Sequence, residues 1–229
     1  MWARHLKESG EAMTYDATLV AAKLRRWEKY LKNYTLPSWQ EIPDFGLYME
    51  QVIVLMNQYL DYLPPELKDD AGITAATINN YVRKKVMPEP RKKRYYRIHL
   101  AYLIIICTLK QSLPIALVQR LLPADLTEAE TEAAYTAFVR RHRDSCAYYI
   151  REVRASADGI LHPAPGAQVS SERVVDLIVG SAVTSGFARL LADKLLALDD
   201  VAMADVPADE LARDGSASPA DGSAAKEQE

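Results

Sequence analysis

Apolar residues recur at every third or fourth position along most of the chain, a spacing typical of amphipathic helices. Asp16 and Thr74 each precede one of these stretches and are suitable N-cap residues. Prolines end the second and third of these stretches along the chain. Pro64 and Pro65 follow the second stretch, and Pro88 follows the third. The pattern predicts an all-α fold with helices over residues 15–34, 46–62, 75–85, 99–110, 117–122, 127–157 and 170–198.

Three segments lack this periodicity. Residues 91–96 are short, basic and aromatic, which predicts a hairpin or an extended loop. Residues 157–168 are rich in Gly, Pro and Ala and predict a loop. Residues 201–229 contain few side chains that could be buried, which predicts a disordered, acidic tail.

Positive charge is concentrated in one short segment. The whole chain has a formal net charge of -3, whereas residues 83–97 contain eight Lys and Arg residues and one acid, Glu89. That segment therefore carries +7 and the remaining chain -10. A basic segment inside an acidic protein indicates a surface that contacts phosphates.

The predicted helix over residues 75–85 has two chemically different faces. One is apolar, with Ile78 and Val82 and with Tyr81 beside them. The opposite face presents small and hydrogen-bonding side chains. Amides and guanidinium groups match the edges of adenine and guanine in the major groove of DNA. The residues of this second face are Ala76, Asn79, Asn80 and Arg83.

The sequence thus predicts one nucleic-acid interface, formed by this helix and the basic segment after it. Cations on either side of the helix would contact phosphates, and the helix would contact bases. The predicted DNA contacts are Thr74, Ala76, Thr77, Asn79, Asn80, Tyr81, Arg83, Lys84, Lys85, Arg91, Lys92, Lys93, Arg94, Tyr95 and Arg97.

The string GITAATINNYVR, from Gly72 to Arg83, resembles the second helix of MerR-type regulators. The resemblance continues through VMPEPR (residues 86–91), and Tyr95 or Tyr96 corresponds to the tyrosine of the wing. INNYV together with KKRY resembles, more closely, a bacterial family of unknown function that is thought to be MerR-like. The similarity covers residues 46–122 and implies a MerR-like winged helix-turn-helix with additional helices on both sides.

This resemblance implies a transcriptional regulator that binds double-stranded DNA as a homodimer and responds to an unidentified small-molecule or protein effector. The expected organisation is an N-terminal helix (1–35), a helix-turn-helix domain (36–123), a helical dimerisation and sensor region (124–200) and the tail (201–229). Two alternatives remain. One is an all-helical protein-interaction module whose basic patch binds an acidic partner, and the other is binding of RNA or an anionic membrane surface by the same patch.

Other classes of function lack support in the sequence. Neither a phosphate-binding Gly-rich loop nor a catalytic arrangement of Ser, Cys or carboxylates is found, so we expect no enzyme and no cofactor. His142 and Cys146 are four residues apart on a predicted helix, but two ligands are too few for a zinc site. Tyr148, Tyr149 and Trp27 are aromatic residues that could line a small-molecule pocket or belong to the core.

The sequence also predicts a cytoplasmic protein that does not enter the membrane. The N-terminus lacks the apolar segment of a signal peptide, and the longest apolar run, residues 100–109, is half the length of a membrane span. Cys107 and Cys146 are two thiols far apart in the sequence, which is typical of a reducing compartment.

Overall fold

The structure, a computed structural model, describes residues 15–61, 73–162 and 171–201. In this part of the chain the fold is mainly helical, and the predicted all-α class is confirmed. A 3₁₀ turn covers Trp39–Glu41. The helices are α1 (Ala17–Asn33), α2 (Met49–Tyr59), α3 (Ala75–Arg83), α4 (Arg97–Leu109), α5 (Ile115–Leu121), α6 (Glu128–Ser156), α7 (Asp158–Leu161) and α8 (Ser171–Ala197).

Two predicted N-caps are confirmed in detail. The Asp16 carboxylate accepts the Leu19 N–H at 2.8 Å, and the Thr74 hydroxyl accepts the Thr77 N–H at 3.1 Å. These bonds satisfy amide groups that the first turn of a helix leaves without partners, so each side chain determines where its helix begins.

One predicted loop is wrong at residues 158–161, and its residues 163–168 lie outside the described part of the chain. The short helix α7 lies within residues 157–168, where Gly and Pro content predicted no helix. Ile160 and Leu161 of α7 are buried, with exposed fractions of 2% and 6%. Burial of these two side chains holds the segment in a helical turn, a tertiary effect that local composition does not contain. Gly72, residues 62–71 and the predicted tail after Val201 lie outside the described residues.

The main core is built around α4. Residues 99–107 of this helix are all buried, as expected for a helix that is apolar on every side and lies at the centre of a domain. Helices α2, α5 and α6 pack around it. The core continues beyond residue 123, because Tyr135 of α6 is fully buried and its hydroxyl donates to the Pro37 carbonyl at 2.7 Å.

A smaller core joins α1 to α7 and to the first turns of α8. Ala21 of α1, Ile160 of α7 and Val174 of α8 are buried together there. Arg25 of α1 donates to the carbonyl of Leu161 at 2.6 Å and caps the end of α7. The N-terminal helix thus contributes to the same compact unit as the rest of the described chain up to residue 187.

A second unit begins at Ala188, and its described residues are the last turns of α8 and the four residues after them. Arg189 and Asp193 form an ion pair of 3.7 Å within the helix. Across the described residues, α8 is the one helix that is long and apolar enough to cross a membrane, judged by length and composition alone. Asp176 and Arg189 interrupt the apolar residues of α8, so the sequence there contains no long unbroken apolar run.

Candidate nucleic-acid interface

Helix α3 turns its apolar face into the core and its polar face outward. Ile78 is fully buried and Tyr81 is 6% exposed. On the other side Asn79 and Arg83 are exposed, and Asn80 is half-buried. The Arg83 guanidinium donates to the Asn80 side-chain oxygen at 2.9 Å, which holds the two groups together at the surface. Helix α3 therefore presents an amide and a guanidinium side by side.

A lysine occupies the position that usually requires glycine at the end of α3. Lys85 has a φ of 54°, in the left-handed region. The Val86 N–H bonds to the Tyr81 carbonyl at 2.9 Å, and the Lys85 N–H bonds to the Val82 carbonyl at 3.0 Å. This is the Schellman arrangement, in which glycine is normally preferred. The backbone thus turns sharply and leaves the Lys85 side chain exposed.

The predicted basic hairpin exists, and its turn has only two residues. Arg91 and Arg94 exchange two backbone hydrogen bonds, each of 3.0 Å. Lys92 and Lys93 form the turn with φ values of 51° and 61°. Two successive positive φ values define a type I′ turn, which favours Asn-Gly and disfavours lysine.

The hairpin is attached to the start of α2. Tyr95 and Leu47 exchange backbone hydrogen bonds of 2.7 and 2.9 Å. The Arg94 guanidinium lies 3.7 Å from the centre of the Tyr48 ring and donates to the Gly46 carbonyl at 3.2 Å. Gly46 must be small, since a Cβ atom there would meet Arg94 Cβ at 3.0 Å. These contacts fix the direction of the basic hairpin.

Residues 37–138 match the family model described as a domain of unknown function (DUF1836). The match contains α3, the hairpin and most of the main core, so the predicted resemblance to a family of unknown function is confirmed for this region. No curated protein and no solved structure matches the chain. We refer to residues 37–138 as the DUF1836 region.

The DUF1836 region places the predicted contact residues in three environments. Tyr81 and Tyr95 are buried, with exposed fractions of 6% and 4%, so the expectation that their rings contact DNA is corrected. Their rings fill the core because they follow the apolar faces of α3 and of the hairpin. Thr74, Thr77, Asn80, Arg94 and Arg97 are half-buried, and the exposed ones are Ala76, Asn79, Arg83, Lys84, Lys85, Arg91, Lys92 and Lys93.

Arg97 belongs to the framework of the DUF1836 region. Its guanidinium donates to the Ile42 carbonyl at 2.9 Å and lies 3.7 Å from the Asp44 carboxylate. It also lies 5.5 Å from the centre of the Trp39 ring. These partners hold the start of α4 against the segment before α2. Arg97 thus serves the fold, although its charge still adds to the local positive field.

Sequence reasoning missed two residues that shape this surface. The Tyr48 side chain is 52% exposed, and its ring forms a cation–π contact with the Arg94 guanidinium. Gln119 of α5 donates to the Lys85 carbonyl at 3.0 Å and stabilises the end of α3. Both are more than thirty positions away from the groups that they support, and no local pattern in the sequence indicates such a contact.

The exposed cations lie close enough to contact one nucleic-acid molecule. Lys85 and Arg91 are six residues apart in the sequence. Six residues span at most about 20 Å when fully extended. The major groove of DNA is about 12 Å wide, so this upper limit is of the same order as the width of one groove.

His99 joins the segment before the hairpin to α4. Its Nδ1 accepts the Tyr96 N–H at 2.9 Å, and its Nε2 lies 3.0 Å from the Glu89 carbonyl, to which it donates. Burial lowers the pKa of His99 below its usual 6.5 and thus favours the neutral ring in the folded protein. Burial lowers the pKa of His142 in the same direction.

These pKa shifts predict acid sensitivity. These histidines bind protons more weakly in the folded protein than in the unfolded chain. The free energy of unfolding therefore has its full value above pH 6.5 and decreases as the pH falls through the lowered pKa values. We expect the free energy of unfolding of His99→Gln to decrease less at low pH than that of the native chain, since glutamine keeps both hydrogen bonds and does not titrate. Urea unfolding at several pH values between about 7 and 5, with His142→Gln as a comparison, measures the effect. An unchanged pH dependence in His99→Gln would contradict the assignment.

The C-terminal half of the first unit contains a groove of about 560 Å³ between α6, α7 and α8. Tyr148 and Tyr149 line it together with Glu152, Arg173 and Asp176. Trp27 does not line this groove but packs edge-on against Tyr149, with ring centres 5.9 Å apart. Among the described residues no group of His, Cys, Asp and Glu side chains could hold a metal.

Proposed function

We propose that this chain is a cytoplasmic transcriptional regulator that binds double-stranded DNA through a MerR-like winged helix-turn-helix. Helix α3 would lie in the major groove, and the basic hairpin of residues 91–94 would be the wing. The observation that carries the proposal is the Asn80–Arg83 pair on the outward face of α3, a helix that is followed by three lysines in strained backbone conformations. The groove beside Tyr148 is the proposed place for an effector.

The dimensions and chemistry of α3 support this role. An α-helix with its side chains is about 10–12 Å across, which fits the major groove, about 12 Å wide, and the nine residues of α3 form about two and a half turns. Asparagine can pair with adenine and arginine with guanine, each through two hydrogen bonds. The Thr74 cap and the buried Ile78 fix the helix before DNA binds, so little further ordering is needed.

The strained lysines support the same conclusion independently. In the described part of the chain, the non-glycine residues with positive φ are Lys85, Lys92, Lys93 and Asp200. Three of the four are therefore lysines within nine positions of one another. Each such conformation costs about 1 kcal/mol or more, and Gly or Asn would remove the cost. Strain of this kind is concentrated at functional sites, and here a cation at each position would contact a phosphate.

The test is selection of bound fragments from sheared genomic DNA, followed by sequencing. We expect a recurring motif for the native chain and its loss in Asn79→Ala/Arg83→Ala, with a discrimination between cognate and random duplex that falls by roughly 1–3 kcal/mol for each lost base contact. Arg141→Ala, at an exposed arginine of α6, is the matched control. Recovery of no motif, or equal binding of an acidic polypeptide or of RNA, would refute the proposal.

A further inference from the structure

Helices α1 and α6 pack side by side and run in opposite directions. The Trp27 ring of α1 lies 5.9 Å from the Tyr149 ring of α6. At the end of α1, the Tyr34 ring lies 6.2 Å from the His142 ring. Residue numbers therefore rise along α1 while they fall along α6, and the two helices form an antiparallel pair.

Each of these two helices carries a row of cations along one side. Arg25, Lys29 and Lys32 of α1 are four and three positions apart, so they fall within about 60° of one another around the helix axis. A second row falls within about 80° around the axis of α6. All the side chains in both rows are exposed. The row of α6 consists of Arg140, Arg143, Arg151 and Arg154.

One carboxylate joins the two rows. Glu28 of α1 accepts from Lys32 at 2.6 Å within its own helix and from Arg154 of α6. Because both cations meet at one group, the two rows lie on the same side of the helix pair. The hydrogen bonds from Arg154 and Lys32 lower the pKa of Glu28 to about 2, so this carboxylate stays ionised at neutral pH. We refer to the seven cations as the α1–α6 face.

The α1–α6 face borders a groove of about 700 Å³ where α1 and α6 meet α7. The groove is lined by charged and amide side chains, with Leu161 and His162 at the α7 end. Its described lining contains no Tyr, Trp or Phe ring on which a base could stack. Sites for small organic molecules are mostly apolar, so the chemistry of this groove favours an anion that is recognised by its charge.

The α1–α6 face is positive in an acidic chain. The acids on or beside it are Glu28, Asp144 and Asp158, which leaves the face with a net charge of +4. The whole chain has a formal net charge of -3. The two rows are more than one hundred positions apart in the sequence, so no single basic segment of the sequence contains this face.

We propose that the α1–α6 face is a second surface that binds the phosphate backbone of double-stranded DNA. From Arg140 to Arg154 the row of α6 extends over about 21 Å. A duplex presents about 12 phosphates over that length, whereas a single phosphate group would contact only part of the row. Contacts of this kind hold the duplex without reading its sequence. The choice of DNA as the polyanion rests on the proposed function, but the face shares no residue with α3 or the hairpin.

The triple variant Lys29→Ala, Arg140→Ala and Arg143→Ala tests the α1–α6 face. It leaves the contacts of Glu28 intact, and the three positions are exposed, so circular dichroism should show an unchanged helix content. We expect it to bind a labelled duplex of random sequence roughly tenfold or more weakly at physiological salt, with a slope of log K against log salt that is smaller by about 2.7. Fluorescence anisotropy at several salt concentrations measures both quantities.

The matched control is the triple variant Lys23→Ala, Arg26→Ala and Arg141→Ala. It removes the same charge from exposed positions of the same two helices, on sides that point about 90° or more away from the centre of each row. This control should bind the random duplex as the native chain does. Equal weakening in the two triple variants, or native affinity and salt slope in the first, would overturn the proposal.

Sequence selectivity separates this proposal from the role of α3. The variant of the α1–α6 face should keep the native preference for a recurring motif over random duplex, because phosphate contacts do not discriminate between bases. A native chain that binds duplex through the α1–α6 face but recovers no motif would refute the role of α3 alone. Failure of the native chain to bind any duplex, or tighter binding of polyglutamate or double-stranded RNA than of DNA, would overturn the α1–α6 proposal as well.

Discussion

Replacement of Arg91, Lys92 and Lys93 by alanine is expected to weaken binding to double-stranded DNA by one to three orders of magnitude at roughly physiological salt. These three side chains are exposed on the hairpin. Each lost phosphate contact lowers the slope of log K against log salt by about 0.9, so the variant should lose about 2.7 from its slope. Fluorescence anisotropy of a labelled duplex at several salt concentrations measures both quantities.

The neighbouring Arg94 is deliberately retained in this variant. Its guanidinium lies on the Tyr48 ring and bonds to the Gly46 carbonyl, so its removal would also disturb the attachment of the hairpin. Arg141→Ala again serves as the control for a change in net charge alone. If the triple variant kept the native affinity and salt slope, the hairpin would not contact phosphates and the wing role would be wrong.

The triple variant Lys85→Gly, Lys92→Asn and Lys93→Gly is expected to be more stable than the native chain and weaker in DNA binding. All three lysines have φ between 51° and 61°. Relief of the left-handed conformation at each position contributes about 1 kcal/mol, so the free energy of unfolding should rise by about 3 kcal/mol in total. Loss of three cations should reduce the affinity for DNA at the same time.

Denaturant unfolding and DNA anisotropy on the same preparations separate the two effects. Asp200→Gly is the matched control, because Asp200 has a φ of 64° but lies outside the basic segment. It should raise the free energy of unfolding by at most about 1 kcal/mol, the contribution of one position, without any change in DNA binding. A triple variant that gained stability and kept full affinity would show that the strained lysines serve no ligand.

Local patterns in the sequence predicted most of the helices, and the physical reason is visible at particular residues. Side chains recur at helical spacing, and Asp16 and Thr74 cap the helices with bonds to amides three residues later. Such interactions are local, so the sequence contains them directly. The exposed polar face of α3 follows in the same way, because Ile78 and Tyr81 determine which side is buried.

Roles that depend on distant contacts were not predicted. The sequence predicted that Arg94 and Arg97 are two further cations of the basic segment. In the structure Arg94 contacts the Tyr48 ring and Arg97 pairs with Asp44, and both partners are more than forty positions earlier. Helix α7 forms although the composition of its segment predicts a loop, because Ile160 packs beside Ala21. These outcomes depend on which surfaces the folded chain brings together.

By itself, the amino-acid sequence determined the helical class, the starts of α1 and α3 and the location of the positive charge, since each depends on residues within a few positions of one another. Only the tertiary structure decided which cations remain exposed and which tyrosines are buried. Those properties depend on competition for burial among segments far apart in the chain, and that competition is resolved only when the core around α4 is complete.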